Sequence, residues 1–190
     1  MKMLTMSMMA AAFAIAPVLA QSQTTNPAGA TTTQTPAPQA SATMKPDEDF
    51  AKAAAESGMA EVELAKLATK STNTEIKALA DRLVTDHGKA NDELKTIAAK
   101  KGILLPAMAS ATHKATYDRV AKLAGAAFDQ AWVTEIVAAH RSSVDRFRKE
   151  SQDGKDPEFK TFAGKTLPTI EAHLAQAQKI QTAVGTTGSK

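Results

Sequence analysis

The chain has 190 residues, a formal charge of +3 and no cysteine. The missing cysteines exclude disulfides, thiolate catalysis, cysteine zinc sites and a lipid anchor on a cysteine. The charge excludes a nucleic-acid surface, which needs cations concentrated on one face: all 20 acids lie between Asp47 and Glu171, residues 47–184 are balanced, and the surplus is Lys2, Lys45 and Lys190.

Residues 1–20 read as a secretory signal. Lys2 gives a basic start, Met8 to Ile15 is an unbroken apolar run, and Val18-Leu19-Ala20 offers a cleavage site. That run is far below the roughly 20 residues that cross a bilayer as a helix. The expectation is an exported protein of the periplasm or outer membrane, with no transmembrane segment once the signal is cleaved. Residues 21–46 are rich in Thr, Gln, Ala and Pro, with no aromatic residue. Such a stretch has too little apolar surface to offset its ordering entropy and reads as a disordered linker.

From Asp47 the pattern becomes helical. Pro46 followed by Asp47, Glu48 and Asp49 marks a helix start. The first helix carries Phe50, Ala54, Ser57, Glu61, Leu64 and Ala68 at steps of four and three. Ser71–Asn73 is a break, with Thr72 and Glu75 spaced as a capping box. The second helix carries Leu79, Leu83, His87, Ala90, Leu94 and Ile97, and Gly102 ends it. A loop around Pro106 follows, whose Ile103, Leu104 and Leu105 should tuck against the bundle end. Thr112 opens a short helix with Tyr117, Val120 and Leu123 on one side, and Gly125 interrupts it. The next helix carries Phe128, Trp132, Ile136, His140, Val144 and Phe147. After a turn at Gln152–Pro157 the last helix repeats Phe159, Ala163, Thr166, Ile170, His173, Ala177, Ile180 and Val184, a coiled-coil-like seam, with Pro168 inside it as an expected kink. No period-2 stretch appears. The fold class is all-α: an up-down four-helix bundle with a short extra helix in the central connection, over residues 47–184, before a short disordered tail at 185–190.

Several blocks resemble one bacterial family. They are Ser57-Gly58-Met59-Ala60-Glu61-Val62-Glu63-Leu64, Asp86-His87 with Ala90-Asn91 and Leu94, Phe128-Asp129, and Thr166-Leu167-Pro168 followed by His173-Leu174. The family is domain-of-unknown-function family 4142, labelled "predicted outer membrane protein" and likened to ferritin-like bundles. The resemblance implies an exported helical bundle and no established reaction.

Glu61, His87, His140 and His173 each fall on the apolar stripe of a different helix. A polar group there must find a partner or cost about 1–3 kcal/mol. One metal-capable side chain from each of four helices is how carboxylate–histidine sites are built inside bundles. The Glu-x-x-His pairs of a di-iron site are absent, which leaves one transition-metal ion held by histidine and carboxylate as the cofactor the pattern accommodates. Depth then decides the ligand set. If both helix–helix turns lie at the same end, a rise of 1.5 Å per residue puts Glu61 about 15 Å down, His140 about 21 Å, His87 about 24 Å and His173 about 29 Å. By this count only His87 and His140 share a level, with Glu56 and Glu135 as companions. His113 reads as a surface or capping residue. The methionines left after the signal, Met44, Met59 and Met108, are scattered.

Two functions follow. The first is a non-catalytic structural or interaction module with a protein or envelope partner, its inward histidines serving as core hydrogen-bonders. The alternative is a ferritin-like metal-binding or oxidative-stress bundle, with His87 and His140 as ligands and Glu61, Glu56 or His173 assisting. No nucleophile elbow or phosphate-binding glycine loop is present.

Overall fold

A computed structural model describes residues 45–187. The expected signal, the linker up to residue 44 and the last three residues lie outside them. The first helix, α1 (Lys45–Lys66), tightens into a 3-10 turn (Leu67–Lys70). It is followed by α2 (Thr74–Lys100), the short α3 (Ala111–Ala121), α4 (Gly125–Asp153) and α5 (Pro157–Thr187). No strand occurs among the described residues. Lys45 and Pro46, read as linker, belong to α1, and α5 runs beyond Val184.

The helix ends follow local chemistry. Asn73, not Thr72, caps α2: its Oδ1 accepts from the N–H groups of Glu75 and Ile76 at 2.9 and 3.3 Å. Ser110 caps α3 by accepting from the His113 N–H. Gly102 and Gly125, at φ of 67° and 57°, take the left-handed conformation that stops α2 and opens α4. Pro168 lies inside α5, which runs as one helix from Pro157 to Thr187.

Around the bundle the order of the long helices is α1, α2, α5, α4, with α3 lying against α1 and α4. The course of the central connection sets their directions. The end of α2 meets the start of α5, where Lys101 pairs with Asp156 and Glu158 at 2.6 and 2.8 Å. The start of α1 is there too, since Asp47 accepts from the Lys155 and Asp156 N–H groups. At the other end Lys70 donates to the carbonyls of Ala121 and Leu123, just before α4. Residues 101–124 therefore travel the length of the bundle, with α3 as part of the crossing. The α1–α2 and α4–α5 turns lie at opposite ends.

Two apolar clusters fill the interior. One, at the α1–α2 turn, gathers Leu64, Ile76, Leu79, Phe128, Trp132 and Ile180. Its Trp132 is fully buried, and the indole N–H donates at 2.8 Å to the Leu64 carbonyl. The other, at the α4–α5 turn, is built on Phe50, Phe147, Phe159 and Phe162. Phe50 meets Phe147 edge-to-face at 5.1 Å. Ile103 and Leu105 pack against this second cluster as expected, whereas Leu104 is 87 % exposed. No helix among the described residues is long and apolar enough to cross a membrane.

Candidate metal centre

Between the two apolar clusters the seam is polar. His87 on α2, His140 on α4 and His173 on α5 are buried, and their ring centroids stand 5.3, 5.5 and 5.5 Å apart. One potential ligand atom from each lies within 4.8 Å of the others. Glu61 of α1 closes the layer: its Oε2 is 2.9 Å from His87 Nε2 and 3.5 Å from His140 Nε2, and Ser143 donates to its Oε1 at 3.2 Å.

Hydrogen bonds fix which nitrogens are free. His140 Nδ1 lies 3.0 Å from the Ile136 carbonyl, which can only accept, so this nitrogen carries the proton, and Nε2 is left as an acceptor facing His87 Nε2 at 3.3 Å. His173 Nε2 donates to Asp86 Oδ2 at 3.0 Å, leaving Nδ1 as a bare lone pair. That Nδ1 is buried and has no hydrogen-bond partner among the described residues. A histidine whose outer N–H is tied to a carbonyl or carboxylate, with its other nitrogen free, is oriented as metal-ligating histidines are.

Charge follows the same division. Burial pulls the His173 pKa down to about 4, with His87 and His140 adding to the effect and the bond to Asp86 opposing it. Burial also lowers His140, helped by His87 and resisted by Glu61. Both rings are therefore neutral near pH 7, with lone pairs available. Burial works against a charged His87, but Glu61, and Asp86 beyond it, hold its pKa above the usual histidine value. Burial would raise the Glu61 carboxyl, yet His87, His140 and the hydrogen bonds it accepts bring it to about 2. The layer thus holds a carboxylate that favours the charged form of His87, beside two neutral imidazoles. Beside it is a void of about 20 Å³ lined in part by Glu61, His87, Asn91 and Ser143, large enough for one water-sized molecule. Asn91 reaches it because residue 58 is glycine: a Cβ there would stand 2.2 Å from Asn91 Oδ1.

The depth count is corrected on three points. His173 belongs with His87 and His140, because the two turns lie at opposite ends. Measured from the α1–α2 end, His87 is 13 residues into α2, His140 15 into α4 and His173 14 from the end of α5. These are all about 20–22 Å deep at 1.5 Å per residue. Glu61 also joins: its side chain on α1 and that of His87 on antiparallel α2 tilt toward their own helix starts, and so toward each other. Glu56 and Glu135 stay outside the layer, Glu56 lying 3.2 Å from His113 and Glu135 2.6 Å from Arg119. Asp86 and Ser143 were not among the expected site residues. Their signals were a carboxylate adjacent to a seam histidine, and a hydroxyl one turn beyond another.

Residues 31–180 match the Domain of unknown function (DUF4142) family. The chain belongs to this family. Its blocks fall around the layer: Glu61 ends the Ser57-Gly58 segment, Asp86-His87 supplies a ring and its partner, and His173 follows Thr166-Leu167-Pro168. Among solved structures this DUF4142 bundle is similar to CopM in its Cu(II)-bound form, at a TM-score of 0.63 and 18% identity, over 72% of this chain and 96% of CopM. It is also similar to CopM in its Cu(I)-bound form, at a TM-score of 0.59 and 17% identity, over 70% and 93%. At such identities the likeness establishes the shared helical fold. No functionally curated protein matches the chain.

Proposed function

We propose that this protein is a copper-binding bundle, with His87, His140 and His173 as the ligands of one ion and Glu61 as the carboxylate that balances its charge. The observation that carries this reading is the outward tethering of His140 to Ile136 and of His173 to Asp86, which turns unprotonated nitrogens into the same buried space. Without a ligand the His173 Nδ1 is a buried lone pair that costs about 1–3 kcal/mol. A bound cation turns that cost into a contact.

Imidazole suits copper, zinc, iron and nickel alike. The choice of copper is supported by the fold shared with CopM, whose solved forms carry Cu(II) and Cu(I). Glu61 fits the same role, since a buried carboxylate 2.9 Å from His87 and 3.5 Å from His140 stands ready to offset a metal cation. These features favour metal binding over the purely structural module. The expected signal at residues 1–20 supports export, and with it a role in holding copper in the periplasm or at the outer membrane.

The test is copper content. The tag-free protein, equilibrated with Cu(II) or with Cu(I) under reductant and then desalted, should retain about one ion per chain by mass spectrometry, and His87→Ala should retain none. Wild-type protein that leaves the column copper-free with its helical circular dichroism intact would refute the proposal.

A further inference from the structure

Helix α3 lies over the seam between α1 and α4 and encloses a cleft of about 220 Å³ against them. Glu61, the carboxylate that touches His87 and His140, lines this cleft, as do His113 and Tyr117. The same His113 and Tyr117, with Ala60, also line a second hollow of about 350 Å³. Met108, 75 % exposed, borders that outer hollow. His113, Tyr117 and Ala60 thus stand as a neck between the outer hollow, bordered by Met108, and the inner cleft, lined by Glu61.

Donor chemistry and anchoring both suit a route for the ion. A thioether and an imidazole, the donors that Met108 and His113 bring to one hollow, are ligands copper accepts. Glu56, 3.2 Å from His113 Nδ1, orients that ring. Helix α3 buries only Val120 of its eleven residues. Its C-terminal end is held by Val120, by Lys70 on the Ala121 and Leu123 carbonyls, and by Arg119 on Glu135 at 2.6 Å. Its N-terminal end rests on the partly exposed His113–Glu56 pair. Elements with little buried surface open at low free-energy cost, and a helix fastened at one end opens at the other, where the neck is.

We propose that copper enters under α3: Met108 and His113 capture it at the surface, and Glu61 receives it across the inner cleft and delivers it to the triad. Each step exchanges one ligand for another, and the ion keeps its charge. This route rests on the copper-binding reading above, and its test separates the two.

Trp132 is the only tryptophan and lies eight residues before His140 on α4, about 12 Å along the helix axis. Bound Cu(II) at the triad will quench its fluorescence. The tag-free full chain is mixed with Cu(II) sulfate in a stopped-flow instrument, and the rate and amplitude of quenching are recorded. Replacing both capture residues (His113→Ala with Met108→Ala) should slow loading about tenfold or more at unchanged final amplitude. Ala60→Leu narrows the neck without touching a donor and should also slow it, whereas Tyr117→Ala should speed both loading and release to a chelator. Wild-type rates in the double variant overturn the capture step, and wild-type rates in Ala60→Leu overturn the route. No quenching in the wild type overturns the copper site, and the route with it.

Discussion

At the α4–α5 turn, Asp47 gives both carboxylate oxygens to backbone N–H groups, those of Lys155 and Asp156, at 2.9 Å each. Asp156 caps α5 through the N–H groups of Glu158 and Phe159, and takes Lys101 at 2.6 Å. In the middle of the bundle the arrangement is reversed. The histidines spend their N–H groups on Ile136 and Asp86 at the edge and keep their lone pairs for the interior. Both clusters are buried and polar, yet in one the Asp47 and Asp156 carboxylates are spent on closing a turn, while in the other the His173 Nδ1 lone pair is held in reserve. Buried polarity alone therefore does not mark a functional site; unspent lone pairs that converge do.

This contrast breaks first at His173. His173→Ala should abolish stoichiometric copper retention, a larger loss than the roughly 10–100-fold expected for removing a supporting partner. Retention of the wild-type amount would move the ion off the triad. Asp86→Ala should fall in that 10–100-fold range, read as a shift in the dissociation constant by chelator competition. The same change should also cost about 1 kcal/mol in urea denaturation of the metal-free protein, because it takes the acceptor from the buried His173 Nε2–H.

The other cluster should respond the opposite way. Asp47→Ala strips the partner from two backbone N–H groups and should cost about 3 kcal/mol in urea denaturation, with copper affinity unchanged. A weakened affinity would mean that the two clusters are not separate. Glu150 gives the smallest and sharpest signal. Burial, then Asp47 and Asp156, push its pKa up to about 7 against the pull of Lys149. An acid whose pKa is raised by folding favours the native state while protonated, and that contribution is lost as pH rises from about 4.5 through about 7. Glu150→Gln should match the wild type in melting temperature at pH 4 and exceed it by a few degrees at pH 8. Parallel melting curves across that range would show that Glu150 is not held protonated.

Much of this was legible in the chain. The three-and-four spacing located each helix and its inward face, and it set Glu61, His87, His140 and His173 on those faces, because periodicity is a local property. What failed was non-local. Residues 101–124 were legible as a connection containing a helix, but nothing in their spacing says that they cross from one end to the other. On that single point hung the level of His173 and the choice of Glu56 and Glu135 as companions. The cap at Asn73 in place of Thr72, and the outward Leu104, are smaller failures of the same kind: neighbours competing for one geometry, decided by contacts the pattern does not carry.

The layer takes one residue from each of α1, α2, α4 and α5, and the contacts in and around it join positions 26 to 87 apart in sequence. No peptide fragment and no partly folded hairpin contains it. In a protein whose metal ligands sit together on one loop, the ion binds before the fold is complete; here the ligand set exists only in the finished native state. Copper would then discriminate fully between native and unfolded chains, adding about 2.7 kcal/mol to global stability at a hundredfold excess over its dissociation constant. On the copper-binding proposal, the metal would be kept off the chain for as long as the chain is extended, and its loading would be the last event in maturation.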